Sequence, residues 1–215
     1  MNSSRIKENA LKYLGYQGQK MDDFYYQLID ECFKEIDEMS SFKVTYQTFP
    51  LSFDPLFIED ANITIQYPDL VELFQNCHDV MVIGCTLGIQ IDRKLKYYSH
   101  LDMTKLTVFD AVASSYLEEK CDEYENEHII GKRTFRFCPG YGNVPIELNK
   151  KLAKVINCQK KIGLTVQDSS ILLPQKSMIG LIGLGDNQKV KSCKNCLHIK
   201  DCSFRKRGQT CYKRD

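Results

Sequence analysis

The chain has 215 residues, 43% of them hydrophobic, and a formal net charge of +1. That is enough for one globular domain with a core, or one domain with a small appendage. No run of about 18 apolar residues occurs, so nothing reads as a membrane span. The start, MNSSRIKENA, lacks the apolar stretch of a secretory signal, and the expected location is cytoplasmic. In that compartment the ten cysteines are expected to be thiols, metal ligands or redox groups rather than structural disulfides.

Residues 5–15 carry a short helical pattern that ends at Gly15. Asp22 is placed as an N-cap, and apolar residues from Phe24 to Met39 recur at helical spacing. FKVTYQTF (42–49) alternates as a half-buried strand, and NITIQY (62–67) is a second strand candidate. PDLVELFQNC (68–77) opens on proline, as helices do. DVMVIGCTLG (79–88) is a continuous apolar run, so a buried strand, and a helix over 87–98 follows it. A long helix is predicted from about Thr104 to Glu127, with Leu106, Phe109, Val112, Ala113, Tyr116, Leu117 and Cys121 on one side. RTFRF (133–137) reads as a strand, Pro145 as the start of a helix to about Val155, and 163–166 and 178–184 as late strands. Helices and strands mix without a regular βαβ repeat, which predicts α+β.

RFCPGYGNVP (136–145) is a shaped loop, because proline fixes φ and glycine admits positive φ. Arg136 is the fixed charge at its mouth. The segment reads as a cradle for a carboxylate or phosphate. GCTLG (84–88) resembles a strand-to-helix glycine turn able to hold an anion, but it lacks the third glycine of a dinucleotide fingerprint, so the favoured reading is glycines for close packing. Glu118 and Glu119, by spacing alone, read as a solvated pair. Cys32, Cys77, Cys85, Cys121 and Cys158 read as core thiols, while Cys138 sits in the cradle loop. The four histidines pair with no nucleophile motif.

The charge is uneven. Lys189 to Asp215 holds nine Lys/Arg against two Asp, or +7, which leaves −6 on the residues before it. The predicted division is 1–188 and 189–215. Cys193, Cys196, Cys202 and Cys211 fall within nineteen residues of this tail, the first pair as CxxC. Four thiolates suit zinc or an iron–sulfur cluster, and metal binding supplies folding energy to a segment poor in apolar residues. His198 is a further candidate ligand, ranked below the cysteines. Nucleic-acid binding is disfavoured, since only Phe204 and Tyr212 offer stacking surfaces in the tail and the body is acidic.

Four stretches resemble the activation (reactivation) domain of cobalamin-dependent methionine synthase, here as a free-standing protein. They are MVIGCTLGIQIDRKLKYY (81–98), DAVASSYLEEKCDEY (110–124), RFCPGYGNVP (136–145) and GLTVQDSSILLPQKSMIGLIG (163–183). The third matches the family's Arg-x-x-x-Gly-Tyr loop and is the most specific; residues 1–75 carry less of the likeness. The resemblance implies a twisted antiparallel sheet with flanking helices and an S-adenosylmethionine-binding body over 1–188. Arg136 would pair with the ligand carboxylate, the backbone at Cys138 and Gly140 would hydrogen-bond it, and Tyr141 would lie between ligand and corrin. Glu118, in register with the family's ligand-binding glutamate, would meet a positive or hydroxyl part of the ligand, such as its amino group. The implied role is reductive methylation of cob(II)alamin on a separate cobalamin-binding methionine synthase subunit, with a donor such as flavodoxin or ferredoxin. The chain would then be a component of a methyltransferase, serving methionine biosynthesis and supplying no acid or base. The four-cysteine tail lies outside the family pattern and is an added electron route if it holds an iron–sulfur cluster. The alternative is a zinc- or iron–sulfur-binding scaffold for another corrinoid protein, without methyl transfer of its own.

Overall fold

The computed structural model describes residues 3–186, 202–206, 208 and 210. The fold is α+β, with a curled antiparallel sheet and helices beside it. The five strands run in the order β3-β2-β1-β4-β7, where β1 is Lys43–Ser52, β2 Phe57–Ile58, β3 Ile63–Thr64, β4 Cys77–Thr86 and β7 Ser177–Gly185. Leu51 faces Ile58 across β1 and β2, and Ile58 faces Ile63 across β2 and β3. The predicted strand over 62–67 shrinks to two residues. Asp60 and Asn62 take positive φ of 57° and 53°, which bends the chain just before it. β4 is buried on both faces from Val80 onward, as its unbroken apolar run requires.

The chain forms two compact units. The first comprises 3–45, 84–130 and 157–178, and the second 46–83, 131–156 and 179–186 with the described residues of 202–210.

The first unit is organised on α5 (Met103–His128), against which α1 (Ser3–Tyr13), α2 (Asp23–Met39) and α4 (Ile89–Leu101) all pack. Asp22 caps α2 as the sequence predicts, accepting from the Phe24 N–H. The apolar spacing of α2 buries Leu28, Ile29, Cys32 and Ile36, whereas Phe24 and Tyr25 at its first turn are exposed. With three helices around it, α5 is buried on more than the one side its pattern shows, and Ser115 and Glu119 go inside with the apolar residues. Ser115 Oγ is satisfied by the Ala111 carbonyl at 3.0 Å. Glu119 is 5% exposed and pairs with Arg5 of α1 at 3.1 Å, while Arg5 also reaches Asp122 at 3.0 Å. The solvated Glu118–Glu119 pair is thus corrected for Glu119. A small two-stranded sheet, β5 (Thr165–Val166) with β6 (Leu172–Leu173), and α7 (Cys158–Ile162) complete this unit.

Where α2, α4 and α5 meet, Glu35 accepts from the Tyr98 hydroxyl at 2.6 Å and pairs with Lys94 at 2.5 Å. Lys94 and Lys105 both lie about 5 Å from the centre of the Tyr98 ring. Burial pushes the Glu35 carboxyl up, but bonds from Lys94 and Tyr98 and the Lys94 and Lys105 charges more than offset it, and its pKa lies below the ordinary value. Burial pushes the neighbouring Cys32 thiol up to about 12, which makes it an inert core thiol.

The second unit holds β2, β3, α3 (Pro68–Phe74), α6 (Leu148–Val155) and most of β1, β4 and β7. Proline opens α3 at its first turn, as predicted. The helix expected from Pro145 begins at Leu148, because a turn comes first, with the Leu148 N–H on the Pro145 carbonyl.

A carboxyl with a lowered folded pKa adds stability that is present above its unfolded value, about 4.3, and lost as pH falls through the folded value. Thermal melts taken from about pH 6 down to about pH 3 are expected to show this loss, and Glu35→Gln to make the decline shallower while costing ~1 kcal/mol at neutral pH. An unchanged pH profile in the variant would show that Glu35 titrates as it does in the unfolded chain.

Candidate functional site

The candidate loop is built in the second unit on the segment 133–137, which runs antiparallel to β7. Arg133 bridges Leu184 and Phe137 bridges Leu181, so four residue steps on one side face three on the other. One extra residue sits in the segment, the count of a β-bulge. The ladder is therefore broken into single bridges, and the strand predicted for RTFRF is not a regular one. Its ends are held: Phe137 and Leu181 exchange both N–H···O bonds at 2.9 Å, the Thr134 N–H reaches the Gly183 carbonyl at 2.9 Å, and the Gly183 N–H donates to Thr134 Oγ1 at 2.9 Å.

The burial along this segment inverts the usual pattern. Thr134 and Arg136 are 1% and 9% exposed, while Phe135 and Phe137 are only half-buried, with their rings 6.3 Å apart. Placing a guanidinium inside at the expense of two aromatic rings runs against the hydrophobic effect, and a buried charge costs several kcal/mol unless it is matched. Such an inversion singles out Arg136 as a candidate site residue.

The loop beyond Arg136 is held by its own backbone. The Tyr141 N–H points to the Cys138 carbonyl at 3.4 Å, the Val144 N–H to Tyr141 at 3.1 Å, and the Gly140 N–H to Val144 at 2.9 Å. Gly140 and Gly142 have φ of 94° and 57°, the left-handed region that the sequence pattern foretold. Asp69, in the first turn of α3, accepts from the Asn143 N–H at 3.2 Å. Its carboxylate occupies the place a side chain at 142 would take. Asp69 thus pins the far side of the loop, and nothing in its local sequence announced that. Cys138 is half-exposed and Tyr141 is 65% exposed. Arg136, Cys138, Gly140 and Tyr141 therefore share one loop of one unit.

Glu118 belongs to the other unit, on α5, and is half-buried. Asp110, Ser114 and Glu118 recur every fourth residue, so they lie along one stripe of the helix. Lys176 meets the first two, with Nζ 2.8 Å from Asp110 and 2.8 Å from Ser114 Oγ. Within the same unit, residues 174–177 are stitched to the 84–88 turn. The Leu87 N–H donates to the Lys176 carbonyl at 2.9 Å, and Ser177 Oγ bonds Thr86 Oγ1 at 2.8 Å. The Gln175 N–H donates to Asp92 at 2.8 Å, and burial raises the Asp92 pKa against that bond. Two of the four family-like stretches thus meet at the glycine turn.

Of the tail cysteines, Cys202 is half-exposed just before α8 (Ser203–Lys206), with the Lys206 N–H on its carbonyl at 3.0 Å. Cys193, Cys196 and Cys211 lie outside the described residues. Among the described residues no three His, Cys, Asp or Glu side chains form a metal-binding cluster. Cys32, Cys77, Cys85, Cys121 and Cys158 are all buried, as predicted. No helix among the described residues is long and apolar enough to cross a membrane.

No protein-family model matches the chain, and no curated protein matches it. Among solved structures, the crystal structure of the MetH reactivation domain bound to AdoHcy is similar to it, with a TM-score of 0.59 and 13% sequence identity, covering 89% of this chain and 79% of that one. The chain thus has the fold of that domain.

Gly142→Ala is expected to cost about 1–3 kcal/mol, from a left-handed φ combined with overlap on the Asp69 carboxylate, measured by denaturant unfolding. A neutral substitution would mean that Asp69 does not hold the loop.

Proposed function

We propose that this chain is the reactivation component of a cobalamin-dependent methionine synthase. It binds S-adenosylmethionine and holds it for a separate cobalamin-carrying subunit, in the service of methionine biosynthesis. One observation carries the reading: the nearly buried guanidinium of Arg136 at the mouth of a loop with two left-handed glycines, in a fold shared with a domain crystallised with AdoHcy.

The residues present fit such a ligand. A planar guanidinium fork binds a carboxylate through two parallel bonds, so Arg136 takes the amino-acid end. The Gly140 N–H is used within the loop on Val144, so Gly140 contributes through its carbonyl, an acceptor for the ligand's ammonium group. Cys138 adds backbone contacts, and the exposed Tyr141 ring supplies a flat surface between ligand and corrin. Glu118 is assigned by the resemblance alone and is tested by itself. The bound ligand would supply a methyl group on a positively charged sulfur. The chain's own work is to grip and orient, which is catalysis by proximity and calls for no general acid or base.

The tail, 189–215, is proposed as a separate element holding zinc or an iron–sulfur cluster through Cys193, Cys196, Cys202 and Cys211. An iron–sulfur cluster there would pass an electron from a donor such as flavodoxin or ferredoxin.

Calorimetric titration with S-adenosylmethionine is expected to show saturable binding. Arg136→Ala should weaken it on the order of 100-fold, since truncating one partner of a buried charge pair costs about 2–5 kcal/mol. Glu118→Ala should weaken it about tenfold, the worth of one hydrogen bond. Absence of binding to the unmodified chain would defeat the reading, and binding indifferent to Arg136→Ala would remove that residue from the site. For the tail, anaerobically purified protein should carry either iron with inorganic sulfide or one zinc per chain, lost when Cys193 and Cys196 are changed to serine. A metal-free preparation from metal-supplemented growth would defeat the assignment.

A further inference from the structure

β7 carries glycines at 180, 183 and 185, and each occupies a place where a side chain would collide with a neighbour. What it would collide with differs. A Cβ at 183 would lie 2.5 Å from Cys77 Sγ, 2.7 Å from Phe74 Cδ1 and 3.1 Å from Thr134 Cγ2. One at 185 would overlap the backbone of Asn76 and lie 2.7 Å from Cys77 Cα. These two glycines serve the packing of α3 and β4 against β7. A Cβ at 180 would instead lie 2.5 Å from Cγ and 2.9 Å from Cδ of Arg136, with the Phe137 carbonyl next at 3.4 Å.

The stem of Arg136 therefore packs against the β7 backbone at 180, in the space that a side chain there would fill. Resting on that surface, the stem fixes how far the guanidinium stands from the strand. The Phe137–Leu181 pair on one side and the bulged segment on the other keep the Arg136 backbone from moving away to compensate. A methyl group at 180 has to lift the stem, and the guanidinium goes with it. A fork that binds a carboxylate in two places tolerates little displacement, since both bonds depend on a fixed plane.

We propose that Gly180 is a positioning residue: it seats the Arg136 side chain, and so sets the affinity for ligands bearing an amino-acid carboxylate. The inference rests on the S-adenosylmethionine reading for its ligand, while its steric part is independent of any ligand. Gly180→Ala should weaken S-adenosylmethionine about 5- to 50-fold, part of the loss expected from removing the arginine. The decarboxylated analogue, which has nothing for the guanidinium to hold, should bind Gly180→Ala and the unmodified chain alike. In an Arg136→Ala background, Gly180→Ala should have no further effect on S-adenosylmethionine binding, because two changes acting through one contact do not add.

Stability provides the second arm. Removing the arginine stem relieves the collision, so the Gly180→Ala, Arg136→Ala double variant should melt higher than Gly180→Ala alone, and should fold even if the single variant does not. Equal weakening of both ligands in Gly180→Ala, additivity with Arg136→Ala, or a double variant no more stable than the single one would each overturn the proposal. If the unmodified chain binds no S-adenosylmethionine, the functional reading falls, and the melting comparison still decides whether Gly180 seats Arg136.

Discussion

The second unit is arranged around the burial of one guanidinium. Arg136 is brought inside while its aromatic neighbours stay half in solvent, the reverse of what apolar burial alone would select. Keeping it there takes three devices, and each comes from a different part of the chain. A bulged segment turns the residue inward, a glycine in β7 leaves room for its stem, and Asp69 from the first turn of α3 clamps the far side of the following loop. Each device gives something up: a regular ladder, a side chain at position 180 of β7, a free choice of residue at 142. All three converge on Arg136 and the loop that follows it.

The first unit solves another problem. A 26-residue helix packed by three others buries much of its middle, so polar residues turned inward there must be satisfied internally. Glu119 finds Arg5, Ser115 turns back to its own helix, and the Asp110–Ser114 stripe finds Lys176. Glu118 lies on that stripe one turn further on. The stretches that resemble the activation domain in this unit are therefore also the ones that tie α5 to the 84–88 turn and the 174–177 segment.

Local chemistry made much of the chain legible. Asp22 caps α2, proline opens α3, the unbroken apolar run of β4 is buried on both faces, and five cysteines in apolar surroundings are core thiols. These features follow from neighbours within a few residues, so spacing alone reveals them. The cradle loop was legible for the same reason, because prolines and glycines fix their own backbone.

What lay beyond the sequence were the relations between residues far apart in the chain. Glu119 looked solvated because its partner stands 114 positions away on α1. RTFRF looked like a strand because the bulge depends on β7, not on its own residues. Nothing in the local sequence marked Asp69 or Gly180. By itself the sequence determined most of the helices, the buried strand β4 and the place where Arg136 meets a glycine-rich turn. Only the tertiary structure decided which charge is buried and what it rests upon, since burial and contact are set by chain segments that no local pattern brings together.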